Sequence, residues 1–440
     1  MADSTLTSKP GPTKEILVLG GSYAGVGAAQ YILNHIVPAL SSKGTYHVTL
    51  VSTSSHIYHR PTAPRGAVNH SLMPAAKTAI PVIDQFKKYD ADKFTFVQGT
   101  ATSADPTARI ATIALADGTS TTYAYHALVI ATGVRTPSPI LGLQTTHTAL
   151  EAAQVAFQKA LPNVKSIIVG GGGPAAVETA AELGEELNGA AGFLAGKHKA
   201  PKVKITVITA DSKLLPILRP AIGKAAEGYL NRVGVDVVYN ARVEAVTPAA
   251  AGKVDPATGN LDSLFAAATV TLSTGETHDA DIYIPATGVA PNTEFLPANV
   301  LDARGYVDSN PETLRVEKAG PRVYVLGDVG NYTRGGIMEI AAALPVVMTN
   351  LKRDLLWDAA GAPEGTAMKG KDRTFSKNSS EMQIVPVGRS KGVGAIFGWR
   401  VPSIFVWLIK GRDFMVGMLA GYIDGSMVAK ESKWKDEAVV

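Results

Sequence analysis

The chain has 440 residues, 46% apolar and 18% charged, with 42 basic against 38 acidic side chains for a formal charge of +4. That composition describes a soluble globular protein of two or three domains, and its mild, dispersed basic excess is not the clustered footprint that nucleic acid requires. Cysteine is absent, which removes disulfides, thiolate metal sites and thiol redox relays.

Residues 1–14 are rich in Ser, Thr and Pro and read as a tail, neither signal nor transit peptide. Ala2 stands where N-myristoylation needs glycine, and the last three residues carry no peroxisomal signal. No run of about eighteen apolar residues suggests a spanning helix. A cytoplasmic location is the expectation. Residues 16–19 are a short apolar strand, followed by a glycine turn, an alanine-rich helix at 26–33 and a second strand at 48–51, a βαβ unit. Short alternating strands at 94–97 and 109–115 lead to 127–130 and Ala131-Thr132-Gly133.

The same grammar restarts with a strand at 166–169, a turn at 170–173, a helix at 175–187 and a strand at 203–208. Further strands at 235–239 and 268–272 precede 282–284 and Ala286-Thr287-Gly288. Two βαβ units, each closing on Ala-Thr-Gly, amount to an internal duplication of architecture. Segments 189–202 and 248–262 read as surface insertions. A strand at 323–326 runs into Gly327-Asp328, 361–378 reads as a polar linker, and 382–427 as a small separate C-terminal unit.

A dinucleotide cradle needs glycine or small residues for the tight turn, for backbone approach to a diphosphate and for helix–strand packing. Gly20, Gly21, Ser22, Tyr23, Ala24 and Gly25 supply the first, with Ser22 in the second glycine position. Ser52 ends the second strand where an acid usually holds the ribose, so its hydroxyl would bind adenosine without charge assistance. Asp328, after Gly327, stands where it would meet the ribitol of FAD; a helix N-cap is the competing role. Ala131, Thr132 and Gly133 complete this site. Gly170, Gly172, Gly173 and Ala175 form the second cradle, read with Ala175 in the third glycine position. Thr209 ends its second strand without an acid, which admits NADPH as well as NADH; Lys213 or Arg219 would meet a 2′-phosphate. Glu178, on the following helix, would reach the nicotinamide amide, and Gly288 closes the unit. His56 and His59 flank a loop near the flavin and are either proton donors or ordinary loop residues. The nine histidines show no metal spacing, so no metal is expected.

The order of two cradles, paired Ala-Thr-Gly and Gly-Asp resembles the pyridine nucleotide-disulfide reductase superfamily over about residues 14–350. Its branches that act through cysteines are excluded. The segments Gln383-Ile384-Val385-Pro386-Val387-Gly388-Arg389, Gly392-Val393-Gly394 and Lys410-Gly411-Arg412-Asp413-Phe414 resemble the apoptosis-inducing-factor-like branch, the ferroptosis suppressor protein group in particular. Ala63-Pro64-Arg65 is similar to that group's Ala-x-Arg segment. The resemblance implies that Arg65 and the backbone around Ala101 join the flavin site, and that NAD(P)H reduces a quinone.

The resulting expectation is a doubly wound α/β protein with two Rossmann-type domains and a small C-terminal α+β unit. FAD is bound by 14–140 and 291–355, NAD(P)H by 141–290, and the C-terminal unit spans 370–440. Hydride passes from NADH or NADPH to FAD and on to a small quinone-like acceptor. Rival readings are a reductase for a protein electron carrier and a nucleotide-sensing or death-signalling flavoprotein with little turnover. Trp399, Phe405, Trp407, Leu408 and Phe414, beside Arg400, Lys410 and Arg412, suit a peripheral membrane or quinone contact; a core role or a homodimer contact is the alternative.

Overall fold

The computed structural model describes residues 12–191, 195–254, 259–361 and 368–438. The N-terminal tail up to residue 11 and parts of both insertions and of the linker lie outside the described residues.

Ile16 to Leu19 are no more than 1% exposed, the pattern of a parallel strand covered on both faces. This strand, β1 (Lys14–Leu19), is followed by α1 (Tyr23–Tyr31) and β2 (Tyr46–Ser52). After the short helix α2 (Ala63–Val68) come β3 (Phe94–Asp105), β4 (Ile110–Leu115), β5 (Ser120–Ala124) and β6 (Ala127–Ile130). Leu19 pairs with Val51 on one side and Ile130 on the other, so β1 is central and its end opens between two parallel neighbours.

Helix α3 (His147–Ala160) leads into the second unit: β7 (Ser166–Gly170), α4 (Pro174–Leu187), β8 (Lys204–Ile208), α5 (Pro220–Arg232), β9 (Val235–Val238) and β10 (Ile282–Pro285). Gly170 pairs with Ile208 and Pro285, which repeats the arrangement at the end of β1. This four-stranded sheet has the order β9-β8-β7-β10.

The chain then returns to the first sheet with β11 (Val323–Val325), parallel to β6, giving β11-β6-β1-β2-β3-β4-β5. Helix α6 (Ile337–Ala359) follows and packs along α1. The C-terminal segment folds as a small antiparallel sheet, β12 (Gln383–Val387), β13 (Lys391–Ile396) and β14 (Trp399–Arg400), followed by α7 (Ser403–Val406).

That segment is not the separate unit expected. Val385, Val387, Val393 and Ala395 belong to the core around β7 and α4, while Ile423 and Val428 belong to the core of the first sheet. A sheet of three short strands has too little apolar area to stand alone, and it completes the core around β7 and α4 instead. The C-terminal aromatics divide accordingly. Phe414 is fully buried, whereas Trp399 is 81% and Phe405 53% exposed.

Candidate active site

The turn after β1 is built by contact distances that leave no room for side chains. Gly20 has φ +119°, and a Cβ there would lie 2.1 Å from the Ala131 carbonyl oxygen. A Cβ on Gly21 would sit 2.4 Å from Ser52 Cβ, and one on Gly25 1.7 Å from the Gly20 oxygen. Ser22 is the N-cap of α1 but makes no side-chain cap hydrogen bond, leaving the first N–H groups of the helix to a ligand.

These groups border a cavity of about 1090 Å³. Gly20 to Ala24, Ser52, Ala101, Ala131 to Gly133 and Asp328 line it, and at its far end so do Pro174, Ala175 and Glu178. The cavity therefore reaches the start of α4, while Gly170, Gly172, Gly173, Thr209 and Gly288 of the second cradle do not line it. Gly25 and Gly327 lie beneath it: with φ +85°, Gly327 brings its backbone so near the cradle helix that a Cβ would be 3.0 Å from Ala24 Cβ. Asp328 is not the N-cap residue of α6 but is bonded to it. Its Oδ1 accepts a 2.8 Å hydrogen bond from the N–H of Gly336, the N-cap of α6, and the carboxylate borders the cavity.

The second cradle repeats the first, one residue later than the sequence spacing suggested. Gly171, with φ +127°, is the counterpart of Gly20: its Cβ would lie 2.2 Å from the Ala286 oxygen. A Cβ on Gly172 would lie 2.4 Å from Thr209 Oγ1, as one on Gly21 would meet Ser52, and Gly173 is the N-cap of α4 as Ser22 is of α1. Gly170 is the last residue of β7, and the fully buried Ala176, not Ala175, matches Gly25. Gly288 has φ +121° with open space around it, in the place of Gly133.

Helix α4 carries Glu178, Glu182, Glu185 and Glu186 at i, i+4, i+7 and i+8, on one face. Lys410 Nζ donates to Glu178 Oε1 at 2.6 Å, and both line the cavity. Glu178 is 4% exposed; burial pushes its carboxyl up, and the Lys410 ammonium works against that shift. Lys410 was expected at a membrane or quinone contact, not as the partner of Glu178. It lies 232 positions away in sequence, and no spacing rule links it to Glu178.

Arg65 does not line the cavity. Its guanidinium donates to Glu182 Oε1 at 2.7 and 2.9 Å and to the Gly411 carbonyl at 2.8 Å, and lies over the Phe414 ring at 4.6 Å. A buried carboxylate without a cation is costly, and α2 delivers Arg65 to it. Among the arginines that do line the cavity, Arg60 lies in the field of Asp328 and donates to the Val134 carbonyl at 3.3 Å. Burial lowers the pKa of Arg60 and the Asp328 carboxylate opposes this.

The two cations assigned to a 2′-phosphate are engaged elsewhere: Arg219 with Glu381 and the Gly398 carbonyl, Lys213 with the Leu218 carbonyl. The two loop histidines separate as well. His56 lines the cavity and stacks on His147 at 3.7 Å. His59 is buried between the Tyr23 hydroxyl and the Phe414 carbonyl, tying the first cradle to the C-terminal segment; desolvation lowers its pKa.

Two Rossmann-type units sharing one cavity define the class: a flavoprotein oxidoreductase that works with a nicotinamide coenzyme. Comparison with known proteins gives the family. Residues 14–345 match the pyridine nucleotide-disulphide oxidoreductase family, to which the chain belongs. It is 45% identical to oxidoreductase phnG of Penicillium herquei over 432 residues, covering 98% of this chain and 100% of that protein. It is 25% identical to ferroptosis suppressor protein 1 of Mus musculus, with coverage of 91% and 93%. Among solved structures, the sulfide:quinone oxidoreductase of Aquifex aeolicus superposes with a TM-score of 0.63 at 17% identity, covering 95% and 93% of the two chains. The cofactors that come with this family are FAD and NADH or NADPH, and the glycine turns leave the backbone bare where such nucleotides need it.

Proposed function

We propose that the protein oxidises NADH or NADPH through FAD and delivers the electrons to a small quinone-like acceptor. The observation that carries this reading is the single cavity running from the Gly20–Ala24 turn past Asp328 to the start of α4. Ligands on the two cradles meet there. When bound, FAD supplies the hydride and electron transfer.

The chain's own residues hold and orient. The first cradle and Asp328 take the diphosphate and ribitol of FAD. The second cradle brings a nicotinamide nucleotide to the same cavity, and Thr209, neutral at its strand end, repels no 2′-phosphate. The Lys410 ammonium, anchored by Glu178, sets a fixed positive charge at a buried end of the cavity, where it stabilises negative charge better than water does. With no cysteine in the chain, electrons leave directly to the acceptor without a thiol relay. The quinone named for the Aquifex enzyme, which shares the fold, agrees with this acceptor class.

The test is steady-state consumption of NADH and NADPH by the yellow protein, with and without a short soluble quinone. Multiple turnovers that depend on the quinone are expected. Flavin reduction without quinone-dependent turnover would refute the acceptor.

A further inference from the structure

Six cationic side chains line the cavity. Arg135 is paired with Glu294, Arg304 with Asp302 and Lys410 with Glu178, while Arg60 sits in the field of Asp328. Arg334 and Lys377 also line the cavity, and neither makes an ion pair or hydrogen bond among the described residues.

Their placement is built. Tyr332 and Phe375, both buried, pack edge-to-face with ring centres 5.2 Å apart. Each is followed two residues later by one of the two cations, so two chain segments pinned together by an aromatic pair present Arg334 and Lys377 to the same mouth. Helix α6 begins beside them, with Gly336 and Ile337 also on the cavity wall, and its N-terminal N–H groups add to the positive potential. The carboxylate of Asp328 on this wall is held by the Gly336 N–H, and Glu339 accepts from Thr333 Oγ1 and does not line the cavity. The diphosphate belongs at the start of α1, a different helix end.

We infer that Arg334 and Lys377 form a recognition site for an acidic group on the acceptor, so that the preferred substrates are ionised ring compounds such as hydroxyquinones rather than neutral quinones. This rests on the quinone-like acceptor proposed above and narrows it. Two exposed charges on one anion, where water screens them, give a modest preference that salt weakens.

Binding can be read without turnover. FAD-loaded protein free of coenzyme is titrated with a hydroxynaphthoquinone that is ionised at neutral pH, and with the parent naphthoquinone, following flavin fluorescence. The ionised ligand is expected to bind more tightly and to lose that advantage in high salt. The double variant Arg334→Gln/Lys377→Gln is expected to weaken the ionised ligand roughly five- to tenfold and to bind the parent compound as before. Equal affinity for both ligands in the unsubstituted protein overturns the inference. So does loss of FAD from the variant, or a shifted flavin potential with unchanged ligand affinity, because the two cations would then serve the cofactor. Failure of the broader reading looks different: neither ligand binds, and no quinone supports turnover.

Discussion

Asp328 accepts from the start of α6 and faces the cavity with the same carboxylate. Asp328→Ala is therefore expected to cost about 1 kcal/mol through the lost hydrogen bond from Gly336 and to release FAD on dialysis. Asp328→Asn keeps an accepting oxygen and separates the two effects; a dialysed Ala variant with stoichiometric flavin would show that the aspartate does not hold it. Lys410 poses a sharper case, because its partner is almost fully buried. Lys410→Met strands Glu178 and is expected to lower stability by about 3–5 kcal/mol. Adding Glu178→Gln should restore most of that, a coupling that urea unfolding of the four-member cycle measures. His126 gives the pH dependence. Burial, then the Arg322 charge, pushes it down from 6.5 to about 4, against the pull of Asp358 at 3.1 Å. The unfolded chain takes up this proton near 6.5 while the native imidazole stays neutral. The stability that His126 contributes is therefore present above 6.5 and is lost as pH falls from there toward about 4. Melting temperatures across that window should flatten in His126→Gln.

The glycine turns repeat each other so closely that the same substitution should separate the two nucleotides. Gly20→Ala places a methyl against the Ala131 carbonyl and should abolish FAD retention. Gly171→Ala does the same against Ala286; it should leave the protein yellow but unable to be reduced by NADH or NADPH. Anaerobic spectra of both variants check this, and loss of flavin from Gly171→Ala would contradict it. The duplication was legible in sequence because parallel strands buried on both faces read as unbroken apolar runs, and each ends in a glycine turn before a helix. The register of the second turn was not. Gly170 to Gly173 are four identical residues, and only the approach of Ala286 from β10 decides which one takes the positive φ. The ionic part of the site was hidden for a related reason. Arg60, Lys410 and the true partner of Arg65 are set by how α2, α4 and the C-terminal segment pack, contacts between distant positions with no periodicity to mark them.

At the scale of the whole molecule the C-terminal segment does two things, closing the cavity with Lys410 and turning an apolar face outward. Trp399, Phe405, Ile404 and Leu408 are exposed there, near the exposed Arg400 and Arg412. Among the described residues no helix is long and apolar enough to cross a membrane. A face of this kind suits the surface of an anionic bilayer. Co-sedimentation with anionic vesicles is expected to fall several-fold in Trp399→Ala/Phe405→Ala with FAD content intact; unchanged sedimentation would show that this face does not bind the bilayer. Behind that face, helix α4 couples parts that a gene could otherwise exchange. Glu178 and Glu182 are answered by Lys410 and Arg65, and Glu185 and Glu186 by the backbone and guanidinium of Arg389. A coenzyme-binding segment grafted from a relative lacking these acids would bury cations with nothing to answer them. Chimeras that move α4 together with the Arg65 segment and the tail should fold, and those that move α4 alone should not. Exchanging α4 by recombination therefore requires carrying along the cations that answer its acids.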